Sequence, residues 1–317
     1  MTLTQDRASR QRDKLSSGAA RPGRPRSVGA ARRRHNAMTG LLFVLPMLTL
    51  FIVFRYVPVL GAIGMSFTDF DIAGNWEPIG AENYRRLATD PLFWQSLRAT
   101  VLYSAIFVPT IIVVSLVVAL LLNRLLWRPG LFRGALFIPY VTSFVMASIV
   151  WGWLFKIDGL INAFLELFGI GPLGFLQDSR LVLASLATVA TWKGFAYSML
   201  ILLAGLKGIS PEILEASRID GANRWQEFWR ITLPLLKPVL LFVVVIETIM
   251  AFQTFDTVYV MTGGGPVNAS YVLVYMLYDQ AFVFLDFGYA ATIGIALFVI
   301  VLAISLIQRL VLDRSNK

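Results

Sequence analysis

The sequence predicts an all-α protein that crosses a membrane six times, with both ends on the cytoplasmic side. Three observations carry this. Of 317 residues, 57% are hydrophobic and only 15% charged, well short of the roughly one quarter charged expected of a soluble domain. Six windows are apolar over the roughly 20 residues needed to span a hydrocarbon core. Basic residues collect in alternate connections, as the positive-inside rule requires.

Residues 1–38 come first and read as a disordered, basic cytoplasmic tail. Ten basic residues stand there against Asp6 and Asp13, so nearly all of the net charge of +9 is local. A Gly/Ser/Pro-rich segment without aromatics cannot bury a core. Its charge serves as a topology signal, with anionic lipid or nucleic acid as the other readings. Residues 39–317 form the six-helix membrane domain. The predicted spans are 41–64, 99–122, 132–155, 181–205, 239–261 and 287–311. They must be helical, because an isolated strand leaves its backbone unsatisfied in lipid.

Residues 68–97 contain five acids against Arg85 and Arg86, and residues 262–286 contain no Lys or Arg, so both face outward. Arg124, Arg128 and Arg133 place the connection after span two inside, and Arg309, Arg314 and Lys317 do the same for the C-terminus. Arg55, inside the first apolar run, is expected to snorkel outward. Trp76, Trp94, Trp127, Trp151, Trp153, Trp225 and Trp229 fall near span ends, where indole rings anchor at the interface.

Several chemistries are excluded. The chain has no cysteine and a single histidine, His35 in the tail, so no thiolate nucleophile, Ser-His-Asp triad or multi-His metal site is available. It has no phosphate-binding Gly-x-x-x-x-Gly-Lys-Ser/Thr loop. Gly169-Ile-Gly171-Pro-Leu-Gly174 matches a dinucleotide pattern but lacks a preceding strand. Asn268-Ala-Ser270 matches a glycosylation sequon, which has force only in a secretory setting.

The informative polar segment is the cytoplasmic loop 206–237 between spans four and five. Ser210 suits an N-cap, Pro211 the first helical position, and Glu212 and Glu215 the positive end of the helix dipole. Gly221 is placed to end this helix in the left-handed conformation. A second short helix starts near Asn223 and carries Trp225, Phe228 and Trp229, and Pro234 and Pro238 mark the entry to span five. The pair makes a helical hairpin at the membrane surface.

Glu215-Ala216-Ser217, three residues, Gly221, nine residues, then Ile231-x-Leu233-Pro234 resembles the EAA loop of the membrane subunits of binding-protein-dependent ABC importers. Ser217 stands where a second alanine is usual, a small-for-small change. Ser66-Phe67-Thr68-Asp69, Phe137-Ile138-Pro139-Tyr140, Trp151-Gly152-Trp153, Gly159-Leu160-Ile161-Asn162, Phe255-Asp256-Thr257-Val258-Tyr259 and Thr262-Gly263-Gly264-Gly265-Pro266 extend the resemblance to the sugar-transporting branch of that family.

The resemblance implies a type I importer permease fold in the inner membrane of a prokaryote, and import of a sugar, such as an oligosaccharide. The implied partners are a second homologous permease subunit in a heterodimer, two ATPase subunits and an extracytoplasmic solute-binding protein. ATP and Mg²⁺ would then sit on the ATPase, with no cofactor and no catalytic residue in this chain. Glu215, Ala216, Ser217, Asp220, Gly221, Ala222, Ile231, Leu233 and Pro234 are the residues expected to couple to the ATPase. No nucleic-acid partner is implied.

Polar groups at membrane depth mark the candidate path, since they are costly there without a role. Lys193 and Tyr197 share a face of span four, as do Glu247, Ala251 and Thr254 in span five; Gln253 and Asp256 lie on adjacent faces. Lys193 and Glu247 either pair between helices or meet substrate. Two readings from other classes stand beside this one. An ion-gradient-driven secondary transporter would use Lys193, Glu247 and Asp256 as a relay, and a membrane enzyme would draw on Asp158 and Asp178.

Overall fold

The computed structural model describes the backbone of residues 28–71, 73–74, 76–124 and 129–314, with side chains over 38–71, 73–74, 76–123 and 134–310. Trp127, Arg128 and most of the basic tail lie outside the described residues. The chain divides at residue 60 into two units.

The first unit holds α1 (Val28–Phe51), a π-helical turn over Ile52–Tyr56 and the start of α2 (Val57–Met65). The helix therefore starts at Val28, inside the tail predicted to be disordered. Residues 30–34, Ala-Ala-Arg-Arg-Arg, are good helix formers and extend a helix nucleated by the apolar run. Arg55 is exposed and lies in the π-helical turn.

In the second unit, α3 (Glu82–Thr89) precedes α4 (Pro91–Arg124), which starts eight residues before the predicted span two. The third span departs most from expectation. Instead of one helix over 132–155, α5 (Pro129–Val141) and α6 (Phe144–Leu154) meet at a 95° bend. Thr142 Oγ1 donates to the Pro139 carbonyl at 2.6 Å, closing the last turn of α5. Hydropathy averages across such a break and cannot see it.

After α7 (Leu160–Glu166), α8 (Val182–Lys207) is the central helix, packed along α4 through Ile111, Ala119, Leu186, Ala196 and Met199. The two approach closely: a Cβ on Gly194 would stand 3.1 Å from Ile111, and Ser115 Oγ donates to the Phe195 carbonyl at 2.9 Å. Small residues and interhelical hydrogen bonds of this kind hold helices together in lipid, where apolar burial alone gives no preference for a partner. A Cβ on Gly205 would meet Leu236 at 2.8 Å, so α8 is equally tight against α11 (Leu233–Phe252).

The cytoplasmic hairpin consists of α9 (Pro211–Ile219) and α10 (Arg224–Glu227). A π-helical turn over Phe228–Thr232 joins α10 to α11, so that Arg224–Phe252 is one continuous 29-residue helix. The sequence predicts a loop over 206–237, with Pro234 and Pro238 at the entry to span five. In the fold the Leu233 N–H bonds to the Phe228 carbonyl five residues back, widening the turn just before a proline that has no N–H to give. Val57, before Pro58, bonds to the Ile52 carbonyl in the same way. The predicted fifth span, 239–261, stops at Phe252; Gln253–Phe255 break it and α12 (Asp256–Met261) follows.

The last elements are α13 (Leu273–Tyr278), a π-helical turn over Asp279–Val283 and α14 (Phe287–Arg314). Among the described residues there is no strand, only isolated bridges such as Thr68 with Pro78. The Ser-Phe-Thr-Asp motif lies at this end. Asn83 Nδ2 donates to the Ser66 and Thr68 carbonyls, and a Cβ on Gly288 would stand 2.3 Å from the Thr68 oxygen. Asn162 likewise donates to the Lys156 and Leu173 carbonyls. Both motifs pin outward connections.

Candidate functional site

Two places hold the polar residues singled out by sequence. In the first, the hairpin, Ser210 occupies the N-cap of α9 but makes no side-chain cap hydrogen bond. Gly221 has φ +83°, the left-handed conformation that disfavours any Cβ. The Ala222 N–H donates to the Ser217 carbonyl at 3.0 Å and the Gly221 N–H to Arg218 at 3.1 Å, a Schellman ending that satisfies the terminal carbonyls. Asn223 then opens α10 with a reciprocal capping box: Gln226 N–H donates to Asn223 Oδ1 at 2.9 Å, and Asn223 N–H to Gln226 Oε1 at 3.0 Å.

Arg218 ties the two helices by donating from Nε and Nη2 to Glu227 at 2.8 and 3.2 Å. The Glu227 carboxylate holds the guanidinium pKa above its ordinary value. Ser217 is buried and donates to the Leu214 carbonyl at 2.8 Å, which explains why a small residue stands there. Glu212, Glu215, Ala216 and Asp220 remain exposed, with Ile219 at 85% exposure and Ile213 at 45%. Trp225 and Trp229 form an edge-to-face pair at 5.5 Å on the second helix. Thr232 is buried, while Ile231 and Leu233 are half-buried and Pro234 is exposed. An exposed surface with both acidic and large apolar side chains suits a protein partner.

The second place is a cavity of about 550 Å³ bounded by α4, α5, α6, α8, α11 and α12. Its volume falls within the range of about 300–1,000 Å³ typical of small-molecule sites. Lys193, Tyr197, Glu247, Gln253, Thr254 and Asp256, six of the seven residues assigned to the path, line it together. Ala251, only 1% exposed, does not line it and packs in the core. Thr254 reaches the cavity by a route other than the expected one. The helix ends at Phe252, so Thr254 enters from the break rather than from a shared face with Glu247.

Lys193 and Glu247 do not pair. Lys193 Nζ donates to the Tyr140 carbonyl at 2.9 Å and lies 4.3 Å from the Phe144 ring centroid. That carbonyl belongs to the last turn of α5, where the bend has removed intrahelical partners and where the helix dipole favours a cation. Glu247 instead accepts a hydrogen bond from Ser198 through Oε1. Each buried charge thus has its own partner, on a different helix.

Tyr103, Phe107, Tyr140, Phe144 and Phe255 also line the cavity and were not singled out from the sequence for this role. Tyr140 and Tyr197 stack at 5.6 Å with an interplanar angle of 10°. Within an apolar span an aromatic side chain gives no signal to separate it from core. The break after Phe252 and the bend after Val141 aim Phe255, Tyr140 and Phe144, and neither was foreseen.

A helical membrane domain whose cavity is lined by aromatic, polar and charged side chains, with an exposed hairpin at its cytoplasmic side, suits a transport protein. The comparisons make this particular. Residues 111–317 match the family model described as binding-protein-dependent transport system inner membrane component. The lactose transport system permease protein LacF of Rhizobium radiobacter is 36% identical over 283 residues, covering 87% of this chain and 94% of that protein. The trehalose/maltose transport system permease protein MalF of Thermococcus litoralis is 33% identical, covering 86% and 92%. In fold the chain is similar to a chain of a bacterial ABC transporter involved in the import of the acidic polysaccharide alginate. The TM-score is 0.78 at 21% identity, with 92% of this chain and 99% of that one covered.

The chain belongs to the family of binding-protein-dependent transport system inner membrane components. It is a multi-pass, non-enzymatic permease subunit of the inner membrane, whose system also includes an ATPase and a solute-binding protein. Nothing in these comparisons supports the ion-gradient reading.

Proposed function

We propose that this permease imports a sugar, an oligosaccharide or related carbohydrate, through the cavity lined by Lys193, Tyr197, Glu247, Gln253, Thr254 and Asp256. The relatives named for lactose and for trehalose/maltose support the substrate class. The observation that carries the reading is structural: stacked aromatic rings and hydrogen-bonding side chains converge on one cavity, the combination that grips both the C–H faces and the hydroxyls of a sugar.

The proposed assembly is a heterodimer with a second homologous permease, two ATPase subunits that hold ATP and Mg²⁺, and the binding protein outside. Glu215, Ala216, Asp220 and Gly221 form the surface offered to the ATPase. Ser217, Ala222, Ile231, Leu233 and Pro234 hold its shape and join it to the span. The continuous helix Arg224–Phe252 runs from that surface to the cavity. At 1.5 Å per residue, Trp225 and Glu247 are about 33 Å apart along it. Closure of the ATPase on the hairpin would thereby move one wall of the sugar site.

The test is a filling variant. Gln253 is exposed and lines the cavity at the break, so Gln253→Trp occupies the site without disturbing a packed helix. Sugar uptake by the reconstituted transporter is expected to fall at least tenfold, with subunit assembly unchanged on size-exclusion chromatography. Normal uptake by an assembled Gln253→Trp transporter would remove the cavity from the path.

A further inference from the structure

We infer that the cavity selects neutral saccharides and rejects anionic ones such as uronates, sugar phosphates and sulfonates; this rests on the reading of the cavity as the sugar site. The charged side chains that line it are two carboxylates, Glu247 and Asp256, and one ammonium, Lys193. Among the described residues, no arginine or histidine lines it. Recognition of a carboxylate or phosphate in a desolvated site calls for a cation with donors to spare, most often a guanidinium in bidentate geometry.

Lys193 is poorly placed for that task. Its Nζ is held by the Tyr140 carbonyl at 2.9 Å and by the Phe144 ring at 4.3 Å. Its charge is engaged in closing the α5 terminus at the bend. Drawing Nζ away toward a substrate anion would cost it the bond to the half-buried Tyr140 carbonyl, which offsets part of the new contact. The anion would also have to lose its hydration beside two acceptors of its own sign.

A neutral sugar meets none of these penalties. Its hydroxyls donate to Glu247 and Asp256, the amide of Gln253 both donates and accepts, and its C–H face lies against the stacked Tyr140 and Tyr197 rings. The carboxylates therefore act as acceptors for hydroxyl donors and as a charge filter at once. One like charge at contact distance in a partly buried site is worth at least about a tenfold discrimination.

The experiment uses the assembled transporter, purified without its binding protein so that the binding protein's own selectivity does not intervene. It is incubated separately with two pools: neutral oligosaccharides from starch and arabinan hydrolysates, and anionic ones from pectin and alginate hydrolysates. Retained sugars are identified by mass spectrometry. The expected result is retention of neutral saccharides, loss of that retention in Gln253→Trp, and at least fivefold greater capture of the anionic pool by Asp256→Asn or Gln253→Arg than by the wild type. Retention of anionic saccharides at or above the neutral level, abolished by Gln253→Trp, would overturn the inference while leaving the cavity as the sugar site. Retention of neither pool, or retention of either that Gln253→Trp leaves intact, would overturn the cavity assignment itself and the inference with it.

Discussion

The hairpin and the cavity are built by opposite means. The hairpin is assembled from short-range contacts: the Schellman ending spans Ser217 to Ala222, the capping box Asn223 to Gln226, and the Arg218–Glu227 bridge nine residues. The cavity is assembled from residues more than 150 positions apart, Tyr103 to Thr257, aimed inward by two interruptions of helix. A local device can be read from sequence and altered without touching the rest. A convergent site depends on every element that frames it, so its shape and its stability cannot be separated. Changes in the hairpin are therefore expected to affect coupling alone, and loss of a buried side chain that holds the cavity frame to affect both binding and stability.

The variant that should break this contrast most visibly is Gly221→Val. A β-branched residue at φ +83° costs about 1–2 kcal/mol locally, and the distortion falls on the surface offered to the ATPase. Uptake and binding-protein-stimulated ATP hydrolysis should each fall at least tenfold, while thermal unfolding of the membrane helices hardly moves.

Lys193→Met tests the other half. It removes the side-chain donor of the half-buried Tyr140 carbonyl, which costs about 1 kcal/mol, and should lower the thermal midpoint of the assembled transporter together with saccharide retention. A variant that loses retention at full stability would show that Lys193 serves the substrate and not the bend.

Asn223→Ala removes the side-chain acceptor of the capping box, leaving the Gln226 N–H without Asn223 Oδ1, at a cost of about 1 kcal/mol. It should raise hydrogen exchange over residues 223–227 and reduce stimulated ATP hydrolysis severalfold, with retention unchanged. The smallest effect is expected of Arg218→Ala, because an exposed ion pair is screened by water. ATP hydrolysis should stay within twofold of wild type, and a larger loss would mean that Arg218 itself meets the ATPase.

The same contrast explains what was legible. Gly221, Asn223 and the start at Pro211 were readable because propensity, capping and spacing act within a few residues. Five of the six spans follow from hydropathy, although α4 and the Arg224–Phe252 helix extend beyond their apolar windows. The bend between Val141 and Phe144 was not legible, since both arms are apolar and a window averages across them. The break at Gln253–Phe255 was missed for the same reason, and with it the true position of Thr254. Whether Lys193 and Glu247 pair was open in the sequence, because opposite charges at similar depth say nothing about helix rotation. The bend supplied Lys193 with a closer acceptor, and Ser198 supplied Glu247 with a donor.

The central claim is that the hairpin couples and the cavity binds, joined by a continuous helix but separable by mutation. It is tested most directly by measuring neutral-saccharide retention on the assembled Gly221→Val transporter alongside its stimulated ATP hydrolysis. Wild-type retention with hydrolysis reduced at least tenfold is the expected result. Loss of retention in parallel with hydrolysis, or no loss of either, would contradict it.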